Sequence, residues 1–136
     1  MSEKSEVDPD VTRDYILVDA SNWAEHGATT PISITVKGII YSGTVIGGKE
    51  WCLKNISLLE NSNANDNFKT GMINYFKNII DTVYSDVNIE KNIPPQFIHM
   101  IVRYISAYPS GGIPESLWRF KIKEVDAVMF GELKAS

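Results

Sequence analysis

Residues 32–50 of the chain have the sequence I-S-I-T-V-K-G-I-I-Y-S-G-T-V-I-G-G-K-E. In the first half, isoleucine or valine alternates with polar residues, which is the period of a strand with one buried face. Gly38 can take the positive φ that a tight hairpin turn requires, and a second β-rich run follows it. Gly43 within that run indicates a bulge or the close approach of another backbone. The stretch therefore predicts a β-hairpin with strands over 32–38 and 39–47.

Two further strand signals lie toward the C-terminal end. Residues 96–108 are apolar at almost every position, and their β-branched and aromatic content favours a strand, although the length also permits a helix. Residues 117–133 begin by alternating large apolar residues with basic ones. Glu124-Val125-Asp126 interrupts this rhythm, so we predict one long strand with a kink or bulge at 124–126.

The N-terminal part contains a helix signal. Asp8-Pro9-Asp10 is a typical helix start, with a capping carboxylate, a proline in the first turn and a second acid near the positive end of the dipole. Gly27 is placed to end the helix. We therefore predict a helix over 9–26, although residues 15–18 alternatively suit a short strand.

The middle of the chain predicts two more helices. Apolar residues keep helical spacing over 49–60, whereas 61–67 is too polar to pack and predicts a loop. The clearest helical pattern covers 68–87, where apolar residues recur every three or four positions. We expect this face to pack on the sheet or on a partner, because an exposed stripe of that size is unfavourable in a monomer. The face comprises Phe68, Met72, Ile73, Phe76, Ile79, Ile80, Val83 and Val87.

These elements predict an α+β fold, with an antiparallel sheet of about four strands and two or three helices packed on one side. Antiparallel pairing is favoured because the turn signals are short and strands do not alternate with helices. We expect residues 1–8 to form a mobile N-terminal tail and residues 9–136 to form a single α+β domain.

Composition restricts the classes of function. With 13 basic and 17 acidic residues the formal charge is −4, which argues against nucleic acid as a partner. The single cysteine, Cys52, excludes an internal disulfide and is consistent with a reducing compartment. The sequence shows no secretory signal and no apolar window of 18 residues, so we expect a cytoplasmic protein without a membrane span.

Residue types with catalytic or metal-binding chemistry are sparse. His26 and His99 lie in different predicted elements, and no spacing typical of a zinc site occurs. Cys52 lies in an apolar run, where burial suppresses thiol reactivity. The sequence therefore predicts no catalytic residue, no metal and no cofactor, and a protein that is not an enzyme.

Charged residues near the end of the chain are candidates for partner binding. Trp118, Phe120 and Ile122 are predicted to anchor the last strand in the core, which would align the intervening basic residues outward. Acidic residues follow at the predicted kink. We predict that this two-sign patch contacts a partner, and it comprises Arg119, Lys121, Lys123, Glu124 and Asp126.

The chain resembles the gas vesicle accessory protein GvpU family. The resemblance rests on I-S-I-T-V-K-G-I-I-Y-S-G-T-V-I-G-G-K-E-W at 32–51 and on W-R-F-K-I-K-E-V-D-A-V-M-F-G-E-L at 118–133. Shorter matches are A-S-N-W-A-E-H-G at 20–27 and F-I-H at 97–99. The family is an accessory component of gas vesicle gene clusters and is not the shell protein. The resemblance implies a non-catalytic role in vesicle assembly or organisation.

These inferences lead to one main function and two alternatives. We expect an accessory protein that binds gas vesicle shells or other gas vesicle proteins, or itself as a homodimer or higher oligomer, and so influences assembly or clustering. A small inhibitor or immunity-type binding module unrelated to gas vesicles suits the acidic charge equally well. The second alternative is sequestration of a small ligand by Arg103 or Arg119 under an aromatic lid.

Overall fold

A computed structural model describes residues 14–91 and 93–135. In chain order the elements are α1 (Tyr15–Glu25), β1 (Thr30–Val36), β2 (Ile39–Ile46), α2 (Gly48–Glu60), α3 (Asp66–Thr82), α4 (Asp86–Glu90), β3 (Phe97–Ile105), β4 (Gly112–Lys121), a 3-10 turn (Ile122–Glu124) and β5 (Ala127–Phe130). The predicted α+β class is confirmed. The sheet is antiparallel, and it has five strands in the order β4-β3-β2-β1-β5 instead of about four.

The predicted hairpin is present as β1 and β2. Its turn places Lys37 at φ 51° and Gly38 at φ 83°, so both turn residues are left-handed. The register between β2 and β3 shifts between Ser42 and Gly43, which confirms the bulge. Backbone of β3 comes so close to Gly43 that a Cβ there would lie on the Ile101 carbonyl group, so the close approach is also confirmed.

The prediction of one long strand over 117–133 is wrong. Strand β4 ends at Lys121, the chain turns at Ile122–Glu124, and β5 pairs with β1 at the opposite edge of the sheet. The turn begins at Ile122, whose side chain is fully buried in the core cluster against which Trp118 and Phe120 also pack. The interruption at 124–126 therefore separates two strands.

The short link between β4 and β5 requires a curved sheet. In a flat sheet, four strand spacings would separate these edges by about 19 Å. Three of the linking residues form a 3-10 turn, so the connection from Lys121 to Ala127 reaches only about 16 Å. The sheet must therefore curl and bring its two edges closer together than in a flat sheet.

The first helix is shorter than the predicted 9–26. Strand is excluded for 15–18, because α1 begins at Tyr15, with the Asp14 side chain accepting a hydrogen bond of 2.8 Å from the Ile16 N–H. Gly27 takes φ 92° and ends the helix as predicted. The predicted tail at 1–8 and the predicted helix start at 8–10 lie outside the described residues.

The helix predicted over 68–87 is displaced and divided. Asn65 caps α3 by accepting hydrogen bonds from the N–H groups of Asn67 and Phe68, so the predicted loop ends earlier than 67. The helix ends at Thr82 because Ser85 caps a new helix, α4. The helix predicted over 49–60 is confirmed as α2, and residues 97–105 of the ambiguous segment form strand β3.

The core lies between α1 and the sheet. Leu17, Ala20 and Ala24 of α1 are buried with apolar residues of the strands, including Ile34 and Met100. Trp118 and Phe120, expected as core anchors, are half-buried at the margin of this cluster. Their rings stack at 5.8 Å between centroids, and both contact the ring of Tyr41.

Candidate functional site

Helices α2 and α3 form a hairpin whose apolar side chains are only partly covered. The main packing partner of α3 is α2, with the rings of Trp51 and Phe76 5.9 Å apart. No described residue of α3 is fully buried. Of the two coverings predicted for this face, the sheet or a partner, the sheet is not the main one, because α2 lies on the sheet side of the hairpin, through residues such as Cys52 and Ile56.

The uncovered part of α3 is a continuous apolar strip. Phe68 and Tyr75 are each 56% exposed, and their seven-residue spacing places them on the same side of the helix. Met72 and Ile79 lie between and beyond them and are half-buried. We call Phe68, Met72, Tyr75 and Ile79 the α3 strip. Apolar patches of this kind mark sites where another macromolecule binds.

Other exposed apolar residues concentrate in the same part of the chain. Of the twelve large apolar residues that are exposed among those described, seven lie between positions 53 and 93. Besides Phe68 and Tyr75, they are Leu53, Leu58, Val83, Val87 and Ile93. Residues 53–93 thus contribute most of the apolar surface that the domain leaves uncovered.

Beneath the helices is a buried polar group, His99 of β3. Its ring contacts the ring of Trp51, at 5.1 Å, and its Nε2 lies 3.3 Å from the Tyr84 hydroxyl. Burial, and to a lesser degree the positive charge of Arg119, lowers the pKa of His99 to about 3. Its Nδ1 has no hydrogen-bond partner among the described residues. The ring is therefore neutral over the physiological range and serves packing.

Burial also holds a neighbouring thiol and a neighbouring hydroxyl in their uncharged forms. Burial raises the pKa of Tyr84 to about 12 and that of Cys52 to about 11. A thiol with so high a pKa is a poor nucleophile, as predicted for Cys52. Glu25 accepts a 2.7 Å hydrogen bond from the Gly48 N–H at the start of α2, and burial raises its pKa. This carboxylate caps the helix, a role that sequence reasoning missed because 22 residues separate the two positions.

A cavity of about 420 Å³ opens beside this group. Its walls include Val83, Ile89 and Phe97, and Arg119 lines it from β4. The Arg119 guanidinium lies over the Phe97 ring, with Cζ 3.7 Å from the centroid, an arrangement typical of a cation–π contact. Among the described residues, Arg119 forms no ion pair.

Arg103, the other arginine considered for binding a small ligand, already forms hydrogen bonds within the protein. It donates hydrogen bonds to Glu115 at 2.9 Å, to Thr44 at 3.0 Å and to Glu132 at 3.1 Å. Beside Glu132, the Leu133 N–H donates to the buried Ser42 hydroxyl at 2.7 Å. Arg103 therefore anchors the segment that follows β5 to the sheet.

The five residues predicted to bind a partner do not lie on one strand. Arg119 and Lys121 belong to β4, whereas Lys123 and Glu124 belong to the 3-10 turn. Asp126 accepts a 2.8 Å hydrogen bond from the Lys37 N–H in the β1–β2 turn. All five are exposed. Of the predicted basic row, only Arg119 and Lys121 therefore lie on a strand, at the end of β4.

Two features are absent from the described residues, 14–91 and 93–135. These residues contain no group of three or more His, Cys, Asp or Glu side chains that could hold a metal ion. Within the same residues, no helix is both long enough and apolar enough to cross a membrane.

Fold and surface together define a small α+β domain whose most exposed features suit contact with another protein. The chain belongs to the GvpU-like family, because the family model described as gas vesicle protein GvpU-like matches residues 14–133. Membership makes it a gas-vesicle-related accessory protein, and this family is not a known enzyme family. The resemblance seen in the sequence is thereby confirmed. No curated protein and no solved structure matches the chain.

Proposed function

We propose that the protein is a non-enzymatic, cytoplasmic gas vesicle accessory protein that binds gas vesicle proteins through the α3 strip. The observation that carries this proposal is that a strongly amphipathic helix fully buries none of its described side chains within its own domain and leaves Phe68 and Tyr75 more than half exposed. Covering an aromatic residue removes a large apolar area from water, which favours association. Membership of a gas vesicle family makes the shell, or another gas vesicle protein, the natural partner.

Self-association is the second part of the proposal. Bound to the shell through α3 and to a second copy through another surface, the protein would link vesicles and so influence their clustering. The surfaces available for binding the shell and for binding a second copy are separate, because the α3 strip and the edges of the sheet belong to different elements.

The test is a flotation assay, in which protein bound to gas-filled vesicles rises with them on centrifugation. We expect Phe68→Gln with Tyr75→Gln to weaken vesicle binding by about tenfold or more, because central aromatic residues dominate binding energies. The matched control is Asn74→Gln with Lys77→Gln, two exposed polar positions of the same helix. Circular dichroism establishes that both variants are folded.

The proposal fails if the aromatic double variant is folded and floats with vesicles as well as the control. A wild-type protein that does not float with vesicles would instead favour the inhibitor or immunity-type alternative. Co-purification of a toxin or nuclease would then support that alternative.

The charged patch remains a second candidate contact. We expect Lys121→Glu with Lys123→Glu to change the free energy of unfolding by less than about 1 kcal/mol, because both side chains are exposed. Vesicle binding or self-association should weaken, and more so at low salt. Lys54→Glu with Lys91→Glu gives the same change in net charge at other exposed positions. If the Lys121, Lys123 variant binds as well as the Lys54, Lys91 variant, the charged patch does not contact a partner.

A further inference from the structure

The outer edge of β4 carries backbone groups that have no partner. The Ile122 N–H donates to the Gln96 carbonyl at 2.9 Å, in register with the β3–β4 pairing. Ladder hydrogen bonds alternate along an antiparallel pair. The backbone N–H and C=O groups of Leu117, Arg119 and Lys121 therefore point away from β3. Nothing else in residues 14–91 and 93–135 hydrogen-bonds to them.

This edge is the larger of the two that the sheet exposes. Strand β4 has ten residues, whereas β5 at the opposite edge has four. A long open edge is a template for pairing with another strand. Pro114, which lacks an N–H, lies near the start of β4, where the pairing with β3 shifts register between Val102 and Tyr104, so the regular part of the edge is 116–121 and Glu115 directly precedes it.

The side chains along this edge complement a second copy of the same strand. When two β4 strands pair antiparallel with Leu117 opposite Leu117, Glu115 of each copy lies opposite Arg119 of the other. Opposite charges in such cross-strand pairs are favourable. A slip by two residues in one direction would set Glu115 opposite Lys121 but Leu117 opposite Arg119, and a slip by two residues in the other direction would set Glu115 opposite Leu117. Of these registers, only the one centred on Leu117 combines two opposite-charge pairs with a leucine opposite a leucine at the axis.

Both charged partners are available for this contact. The Glu115 side chain is 65% exposed although it bonds Arg103, and its carboxylate has room for a second donor. Arg119 is exposed and has no ion pair within the described part of the chain, although its guanidinium lies over the Phe97 ring and must turn away from that ring to reach a partner. In the chosen register these two exposed side chains lie on the same face, because directly opposite residues of a sheet share a face.

We propose that a second copy of this chain pairs with β4 about a two-fold axis at Leu117, which would extend the sheet to ten strands across the dimer. The proposal rests on the self-association part of the proposed function and names the surface that performs it. It uses none of the residues of the α3 strip, so a dimer would leave two such strips free for vesicle proteins.

Cross-linking tests the register directly. In a hydrogen-bonded antiparallel pair the opposed Cα atoms are about 5.5 Å apart, which lies within the range that a disulfide spans. Under mild oxidation, Leu117→Cys should therefore form a covalent dimer with itself. Glu115→Cys and Arg119→Cys should each fail alone, but an equimolar mixture of the two should cross-link. The native Cys52 is buried, so the wild-type protein should give no covalent dimer.

Charge exchange provides a second test that requires no oxidation. We expect Glu115→Lys or Arg119→Glu to raise the dimer dissociation constant by about tenfold or more, measured by analytical ultracentrifugation. The double exchange, Glu115→Lys with Arg119→Glu, restores complementarity and should restore the dimer. A monomeric wild type, absence of Leu117→Cys cross-linking, or single variants that dimerise as well as wild type would each overturn the proposal.

Flotation separates this proposal from the proposed function. The folded Glu115→Lys variant should still float with vesicles as a monomer, because Glu115 lies outside both the α3 strip and the charged patch. The Phe68→Gln, Tyr75→Gln variant should still dimerise but no longer float with vesicles. That result would support separate surfaces for dimerisation and for vesicle binding. Intact flotation with a monomeric wild type would overturn only the β4 interface.

Discussion

Gly43→Ala is expected to destabilise the protein by about 3 kcal/mol or more, the largest effect we predict for a single methyl group. A Cβ at this position would collide with the Ile101 carbonyl oxygen, and it would lie 2.8 Å from the carbonyl carbon of Ile101 and 2.9 Å from Cα of Val102. These are backbone atoms of β3, which cannot rotate away as a side chain can. The added methyl group must therefore force β2 and β3 apart at the centre of the sheet.

The matched control is the same substitution at Gly71. This glycine lies within α3, and a Cβ there meets no atom within 4 Å. Because alanine is the better helix former by about 1 kcal/mol, Gly71→Ala should stabilise the protein. Urea unfolding of both variants measures the two opposite shifts. A Gly43→Ala variant as stable as wild type would show that β2 and β3 are not packed this closely.

Acid is expected to destabilise the protein through His99. The ordinary pKa of histidine is 6.5 and that of His99 in the folded protein is about 3, so between these values the unfolded chain binds a proton that the folded chain does not. The contribution of His99 to stability is therefore complete above pH 6.5 and is lost as the pH falls toward 3. The loss is about 1.4 kcal/mol per pH unit, or about 2–3 kcal/mol at pH 4.5.

A comparison with His99→Gln isolates this effect from the titration of carboxyl groups. The glutamine cannot take up the proton, so the free energy of unfolding should fall less steeply below pH 6.5 than in the wild type. His26→Gln is the control, because this histidine is exposed at the end of α1. Parallel pH profiles for wild type and His99→Gln would contradict the buried, neutral state of the ring.

Local patterns predicted most of the elements. The alternation over β1 and the two conformationally special glycines of the hairpin, Gly38 and Gly43, carry their information within a few residues. The division of 117–133 was missed because Ile122 continues the apolar alternation of Trp118 and Phe120. That the strand ends there depends on how Ile122 fits into the core between α1 and the sheet, which no local pattern encodes.

Only part of the candidate surface on α3 could be predicted from the sequence, for a related reason. Helical periodicity identified the apolar face of α3, but periodicity reports that a face is apolar and does not report what covers it. The exposure of Phe68 and Tyr75 follows from the position of α2, which lies between α3 and the sheet. Likewise, Lys123 was predicted to belong to the basic row on the strand, but it lies in the turn that begins at Ile122.

The pairing of β5 with β1 has a consequence for how the protein is made. Ile32 is aligned with Phe130, so synthesis must proceed about a hundred residues beyond β1 before this edge of β1 acquires its neighbour. Until then a nascent chain presents the hairpin with an open hydrogen-bonding row, and such rows promote aggregation of incomplete chains. Because contacts between residues so distant in sequence form slowly, closure of this edge should be a late step in folding. A chaperone that occupies β1 during translation would protect the protein at its most vulnerable stage.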